Sequence, residues 1–365
     1  MPDLNIGFIG LGLIGGSMAK SIKRVFPEYT LTSWCRDKNT LKEAVSQGVI
    51  DEPLDSIDDG FLSCDYIFLC TPVDINEEYL TMLKSHIKPE CIISDVGSVK
   101  ASIHLAVKKL GLESNFIGGH PMTGSEKTGL KNSTAYLFEN AYYAITPTEK
   151  ISQKKLDEFT NIIEGIGGVP VIMDSKLHDY IVAGVSHLPH IIAASLVTLV
   201  KESDNPDAYM KQIAAGGFKD ITRIASSSPV MWEQICRQNS ENISSLLEKY
   251  IDKLKNIKNH LDNGNFSNIY NLFDESKDYR DSIDDRSFGP LKKSYAIYCD
   301  IVDEAGAIKS IACKLADNNI SIKNIGIIHN REFEDGVLKV EFYTEEAEKN
   351  ASEVLKSYNY NINVR

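Results

Sequence analysis

The chain has 365 residues, 42% hydrophobic and 25% charged, ordinary globular usage that excludes a disordered, collagen-like or low-complexity chain and leaves material for two or three domains. With 39 Lys and Arg against 51 Asp and Glu the formal net charge is −12. That argues against a nucleic-acid protein held by a general basic surface, so an anionic ligand needs discrete Arg, His or helix N-termini.

Met1-Pro2-Asp3 has no basic region before the first apolar stretch, so no signal peptide is read and the expected location is cytoplasmic. Cys35, Cys64, Cys70, Cys91, Cys236, Cys299 and Cys313 form no CxxC pair and read as buried free thiols of a reducing compartment. From residue 5 to about 150, apolar runs at Ile6–Ile9, Thr30–Trp34, Tyr66–Cys70, Cys91–Ser94, Phe116–Gly118 and Tyr142–Thr146 alternate with amphipathic segments. This is the beat of a parallel α/β sheet. A helix over 154–165 and the run Val169–Met173 add one more unit, giving a first domain over 1–174.

The first strand runs into Gly10-Leu11-Gly12-Leu13-Ile14-Gly15, a GxGxxG that opens a helix. Its glycines permit the turn, let backbone approach a pyrophosphate and let helix pack on strand, so Gly10, Leu11, Gly12, Leu13, Ile14 and Gly15 are the cofactor-binding candidates. After the second strand, Trp34-Cys35-Arg36-Asp37 offers Arg36 as a phosphate ligand and Asp37 as a ribose ligand, leaving NAD or NADP open.

Ligands of an open α/β sheet sit beyond the carboxyl ends of its strands. There the chain places Thr71 and Pro72, then Asp95-Val-Gly-Ser98-Val-Lys100, then Gly118-Gly-His120-Pro-Met-Thr-Gly-Ser125-Glu126. His120, in a Gly-rich loop, is expected to take a hydroxyl proton while hydride leaves the same carbon, with Ser98 sharing the hydrogen bond.

Residues 175 to about 275 are strand-poor and read as an all-helical second domain, drawn over 175–288. Ile181–Val200 carries no charged residue; its His and Pro residues argue for a helix buried in protein, such as at a subunit interface, rather than a membrane span. His187 and His190 lie three apart without HExxH or a cysteine cluster, so no metal is expected. Arg223, ahead of a helix, is a candidate bidentate carboxylate clamp. Ile243, Leu247, Tyr250, Leu254, Ile257 and Leu261 form an apolar seam that suits helix packing or a dimer contact. Asp274 to Gly289 reads as a linker. The pattern over 294–365 is βαββαβ, a small two-layer sandwich.

Five motifs in this order, GxGLIGxS, DVGSVK, GGHPMTGSE, SHLPH and GFKDITRIASSSPxxW, resemble the prephenate dehydrogenase family from about residue 5 to 285. The tail resembles an ACT-type regulatory domain, through Asp303-Glu-Ala-Gly306-Ala-Ile308 and Ile320–Ile325, with Ala305 where a proline is usual. The resemblance implies an enzyme of tyrosine biosynthesis that converts prephenate to 4-hydroxyphenylpyruvate by oxidative decarboxylation and reduces a nicotinamide cofactor. It implies His120 as the catalytic histidine and Ser98 as its hydrogen-bonding companion near the nicotinamide. It makes Arg223 the carboxylate clamp, His190 a substrate-side ligand, and Ser125, Glu126 and Trp232 pocket residues. It further implies a homodimer in which each pocket borrows residues from its partner, and feedback control by tyrosine. Cys35 departs from the Asp often found in NAD-using members. Arogenate dehydrogenases share most of these motifs, with His190 favouring prephenate, and a β-hydroxyacid-type dehydrogenase is a more distant alternative.

Overall fold

The computed structural model describes residues 3–124, 127–283, 295–301, 306–328 and 336–364. They fall into two compact units, Met1–Phe273 and Asp274–Arg365. Ser125, Glu126, Asp303, Ala305 and residues 284–289 of the expected linker lie outside the described residues.

The first unit opens with β1 (Asn5–Ile9), α1 (Leu13–Val25), β2 (Thr30–Trp34), α2 (Lys38–Ser46), a short β3 (Glu52–Pro53), β4 (Tyr66–Leu69), α3 (Asn76–Leu83), β5 (Ile92–Asp95) and α4 (Ala101–Leu110). Its five strands are parallel in the order β3-β2-β1-β4-β5. Alternation explains why the runs are apolar throughout. On β4, Tyr66 and Phe68 enter one core while Ile67 and Leu69 enter the other, as a sheet covered on both faces requires. Phe8 of β1 stacks on Phe68 at 5.6 Å between ring centroids, and fully burying one such side chain contributes roughly 1.5–3 kcal/mol.

A second, three-stranded sheet in this unit is not parallel throughout. β6 (Ile117–Pro121), beside β5 through an Ile93–Phe116 bridge, is followed by β7 (Tyr142–Pro147), which pairs with it antiparallel, His120 opposite Ala144. The described residues of the connection over 122–141 contain no α-helix, and the chain returns on itself instead of crossing over. α5 (Gln153–Gly165) then supplies a crossover, and β8 (Val169–Ile172) is parallel to β7.

The helical region comprises α6 (Ser175–Val182), a π-helical turn (Ala183–His187), α7 (Leu188–Ser203), α8 (Tyr209–Ile213), α9 (Gly216–Thr222), α10 (Pro229–Gln238), α11 (Ser240–Asp262) and α12 (Phe266–Ser282). The π turn precedes Pro189, whose missing N–H interrupts the regular ladder. α12 runs to Ser282, so the expected linker begins as helix: its charges lie on a helix surface. The run Ser175–Ser203 is long and apolar enough to span a bilayer, yet 22% of its most apolar stretch is buried in the single chain, less than the expected protein-buried helix requires. The α11 seam is buried at Ile243, whereas Leu254 and Leu261 are exposed.

The second unit contains β9 (Tyr295–Ile301), α13 (Ala307–Asp317), β10 (Ile322–Ile328), β11 (Gly336–Phe342), α14 (Glu345–Ser357) and β12 (Ile362–Val364). Its antiparallel sheet has the order β10-β11-β9-β12, a ferredoxin-like βαββαβ arrangement. Ile297, Ile311, Leu315, Val340 and Leu355 form its core. All seven cysteines are free; Cys35, Cys64, Cys91 and Cys299 are buried, but Cys313 is exposed.

Candidate functional site

Three glycines at the end of β1 have three different surroundings. Gly10 has φ +91° and donates its N–H to the Trp34 carbonyl at 2.9 Å, and a Cβ there would stand 2.9 Å from the Cys70 carbonyl oxygen. A Cβ at Gly15 would stand 2.3 Å from the Gly10 oxygen, whereas one at Gly12 would meet nothing within 4 Å. Gly10 and Gly15 are therefore glycine for packing, and Gly12 faces open space. Gly12 also precedes α1 with no side-chain cap, so first-turn amides are left for an anion, a cradle that fits a dinucleotide pyrophosphate. Leu11 is 3% exposed and Ile14 packs on the same core, so Leu11 offers backbone rather than side chain to a ligand; Leu13 is half-buried.

Around this loop, Cys35 is buried, and burial is the main cause that pushes its thiol up. Arg36 is exposed. Asp37 accepts from the Asn39 N–H at 3.0 Å and from Thr40 Oγ1 at 2.9 Å, so the expected ribose ligand is engaged as the cap of α2. Thr71 Oγ1 donates to Asn76 Oδ1 at 2.7 Å, leaving Asn76 Nδ2 buried without a partner among the described residues. Pro72 follows, exposed.

Beyond β5 the fully buried Lys100 pairs with the fully buried Asp95 and donates to the Gly119 carbonyl at 2.8 Å. Burial is the first cause that lowers the Lys100 ammonium from its ordinary value. A Cβ at Gly119 would lie 2.7 Å from the Asp95 carbonyl oxygen, so this close approach of β5 and β6 needs the glycine.

His120, on β6, is 9% exposed. Its Nδ1 is 2.9 Å from His178 Nε2, and His178 Nδ1 is 2.8 Å from Asp179 Oδ1. Asp179 in turn accepts the N–H groups of Lys100 and Ala101 at 2.8 Å each. Burial, followed by the neighbouring His178, Lys100 and His187, holds His120 well below the usual histidine range, which leaves it neutral near pH 7. No hydrogen bond joins Ser98 to His120 among the described residues, where His120 Nδ1 is paired with His178; Ser98 is half-buried, three residues before α4.

The buried network continues into the helices. Asn239 Nδ2 donates to the Asp179 carbonyl at 2.7 Å and to His187 Nδ1 at 3.1 Å. His190 stacks on Trp232 at 3.9 Å between centroids, and its Nδ1–H donates to the Ser186 carbonyl at 2.8 Å. That leaves His190 Nε2 as an acceptor, while Trp232 Nε1 is a buried donor without a partner among the described residues. Arg223 is exposed, makes no ion pair with any described residue, and its charge is felt at His190. It is available to an external carboxylate.

Sequence reasoning missed His178, Asp179 and Asn239. A signal for the first two existed: on α6 they share the inward face with Val182, where a short amphipathic helix would carry apolar residues. Asn239, between α10 and α11, had none.

A Rossmann-type strand–loop–helix unit with an open glycine cradle, joined to a buried neutral histidine and a helical region, defines a nucleotide-dependent oxidoreductase. The family profile described as "Prephenate dehydrogenase, nucleotide-binding domain" matches residues 18–172, and "Prephenate dehydrogenase, dimerization domain" matches residues 174–275. The chain belongs to the prephenate dehydrogenase family. It is 37% identical to the prephenate dehydrogenase of Bacillus subtilis (strain 168) over 353 residues, 95% of this chain and 94% of the relative. Identity to the enzyme of that name from Lactococcus lactis subsp. cremoris is 32%, over 95% of this chain and 96% of the relative. Among solved structures, prephenate dehydrogenase from A. aeolicus in complex with hydroxyphenyl propionate and NAD+ superimposes with a TM-score of 0.73 and 32% identity, covering 78% of this chain and 99% of that one.

Proposed function

We propose that the chain oxidises and decarboxylates prephenate to 4-hydroxyphenylpyruvate with reduction of NAD or NADP, and that tyrosine restrains it through the C-terminal unit. The observation that carries the reaction is the buried His120, whose Nε2 has no hydrogen-bond partner among the described residues, on a nucleotide-binding domain of this family. The glycine cradle and the α1 amides would hold the pyrophosphate, with Thr71, Pro72 and Ser98 beside the nicotinamide end. A bound nicotinamide would supply the hydride acceptor for the C–H bond at ring C4. His120 Nε2 accepts the proton of the C4 hydroxyl as that C–H bond breaks and returns it to oxygen once the electrons of the breaking C1–carboxylate bond aromatise the ring. Arg223 clamps a substrate carboxylate, and His190 and Trp232 line the same pocket. Ser125 and Glu126 are assigned there by their place in the GGHPMTGSE motif.

A homodimer is part of this reading. α12 has no buried side chain, with Phe266, Tyr270 and Phe273 exposed, and the apolar Ser175–Ser203 run is largely uncovered. A second copy on the matched dimerization domain would cover both, and sedimentation should give about twice the chain mass. The cytoplasmic location is supported by the free cysteines. The ferredoxin-like order of the C-terminal unit supports an ACT-type domain.

The test is the initial rate of reduced-nicotinamide appearance with prephenate, run with NAD and with NADP, each with and without tyrosine. Turnover inhibited by tyrosine is expected, with inhibition lost in a chain ending near Asp285. No turnover with prephenate but turnover with arogenate would move the substrate to the amino acid. Equal inhibition of both chain lengths would remove the tail as sensor.

A further inference from the structure

Nothing in the family reading assigns a role to His178 and Asp179, yet they connect His120 to the N-terminus of α4. Asp179 accepts two backbone N–H groups, from Lys100 and Ala101, at 2.8 Å each. Two such donors at a helix N-terminus stabilise the carboxylate as an anion. An ionised carboxylate only accepts, so the 2.8 Å contact from His178 Nδ1 places a proton on that nitrogen. A neutral His178 then has a bare Nε2, which can only accept. The 2.9 Å contact to His120 Nδ1 in turn requires the His120 proton on Nδ1. His120 Nε2, without a partner among the described residues, is left with its lone pair.

We propose that Asp179 and His178 are positioning residues for His120, fixing its ring orientation and its Nδ1–H tautomer so that Nε2 presents a lone pair to the substrate hydroxyl. The proposal rests on the reaction assigned above and deepens it. When the hydroxyl proton moves to Nε2, the imidazolium that forms donates from Nδ1 to His178, and the Asp179 carboxylate stabilises the charge through the ring between them. The proton goes back to the product oxygen, so the pair is unchanged after each turnover. The charged and titratable groups facing His120 are His178 from α6, Lys100 from the start of α4 and His187 from the π turn. Of these, only His178 is hydrogen-bonded to it.

Two substitutions separate positioning from packing. His178→Phe keeps a ring but removes the acceptor, whereas His178→Gln can place an amide oxygen near the position of Nε2. The expected result for His178→Phe is a kcat lower by about 10- to 100-fold, KM for prephenate and for the nicotinamide cofactor within about 3-fold, and a displaced acid limb in the kcat/KM profile. His178→Gln should recover a substantial part of kcat. Equal kcat losses in folded Phe and Gln variants, or a wild-type rate and pH profile in His178→Phe, would overturn the proposal. If the Phe variant fails to fold, Asp179→Asn replaces it with the same expected kcat loss. The tautomer has its own readout, independent of turnover. In ¹⁵N-histidine NMR of the full-length wild-type protein, with His120→Asn to assign the ring, His120 should be protonated at Nδ1 and bare at Nε2. The opposite tautomer, or a doubly protonated His178 at pH 7, refutes the proposal even in an active enzyme. Absence of prephenate turnover together with the expected tautomer would instead refute the substrate reading.

Discussion

Replacing Gly12 and Gly15 with alanine, one at a time, separates a loop shaped by a ligand from one shaped by packing. At Gly15 the new methyl would stand 2.3 Å from the Gly10 carbonyl oxygen and 2.7 Å from Cys70 Cβ. Neither neighbour can swing away, because one is backbone and the other is the first side-chain carbon, so α1 has to lift from β1. Overpacking of this kind costs about 1–3 kcal/mol, and at about 2–4 °C per kcal/mol the melting temperature falls by roughly 2–12 °C. Gly12 has φ −76° and ψ −156°, which alanine accepts, and its methyl meets nothing, so the melting temperature should stay within about 1 °C of wild type. That methyl nevertheless stands where a pyrophosphate must approach the α1 amides. Losing one hydrogen bond to a charged group costs about 1.5–3 kcal/mol, a roughly 10- to 150-fold weaker dinucleotide. Thermal melts followed by circular dichroism, and fluorescence titration with reduced dinucleotide, measure both quantities. Unchanged dinucleotide affinity in Gly12→Ala, or a stability loss equal to that of Gly15→Ala, would refute the assignment of the cradle.

Lys100→Met leaves the buried Asp95 carboxylate without its cation and should cost about 3–5 kcal/mol in urea unfolding, a loss that the Lys100→Met/Asp95→Asn double variant partly recovers; equal losses would contradict the pairing. Burial is the main cause that lowers His187 to about 4 from 6.5. The unfolded ring therefore binds a proton below about pH 6.5 that the folded ring does not bind until about pH 4, so stability declines as pH falls through that window and levels off below it. At about 1.4 kcal/mol per pKa unit the His187 contribution is at most about 3.5 kcal/mol, and melts from pH 7 to 4.5 should show a shallower decline in His187→Gln. With Asp37 engaged as a cap and Arg36 exposed, Arg36→Ala should raise KM for NADP about 10-fold or more and leave that for NAD within about 2-fold; equal effects on both would remove Arg36 from the 2′-phosphate.

How far the site could be read from the chain depends on how local each feature is. The glycine cradle joins one strand to the next helix within a dozen residues, and its three glycines answer steric demands that show in the sequence as missing side chains. His120 was legible because a strand end in a Gly-rich segment is where α/β sheets place reactive groups. Its hydrogen-bond partner was not: Ser98 is the polar residue of a neighbouring strand end, whereas His178 comes from a helix 58 residues later. Asp37 carries two demands at once. It stands where a ribose ligand would, and it also begins a helix, so its carboxylate caps the Asn39 N–H.

Local patterns therefore determined the covered sheet, the cradle, the βαββαβ tail and the position of His120, because period-two burial and helix–strand spacing act over a few residues. Only the tertiary structure decided that β7 turns back against β6, that Lys100 lies buried against Asp95 and Gly119, and that Asp179 and His178 stand behind His120. These depend on which distant groups can satisfy one another once water is excluded. A buried donor accepts whichever partner the fold brings within 3 Å, and sequence distance carries no information about that choice.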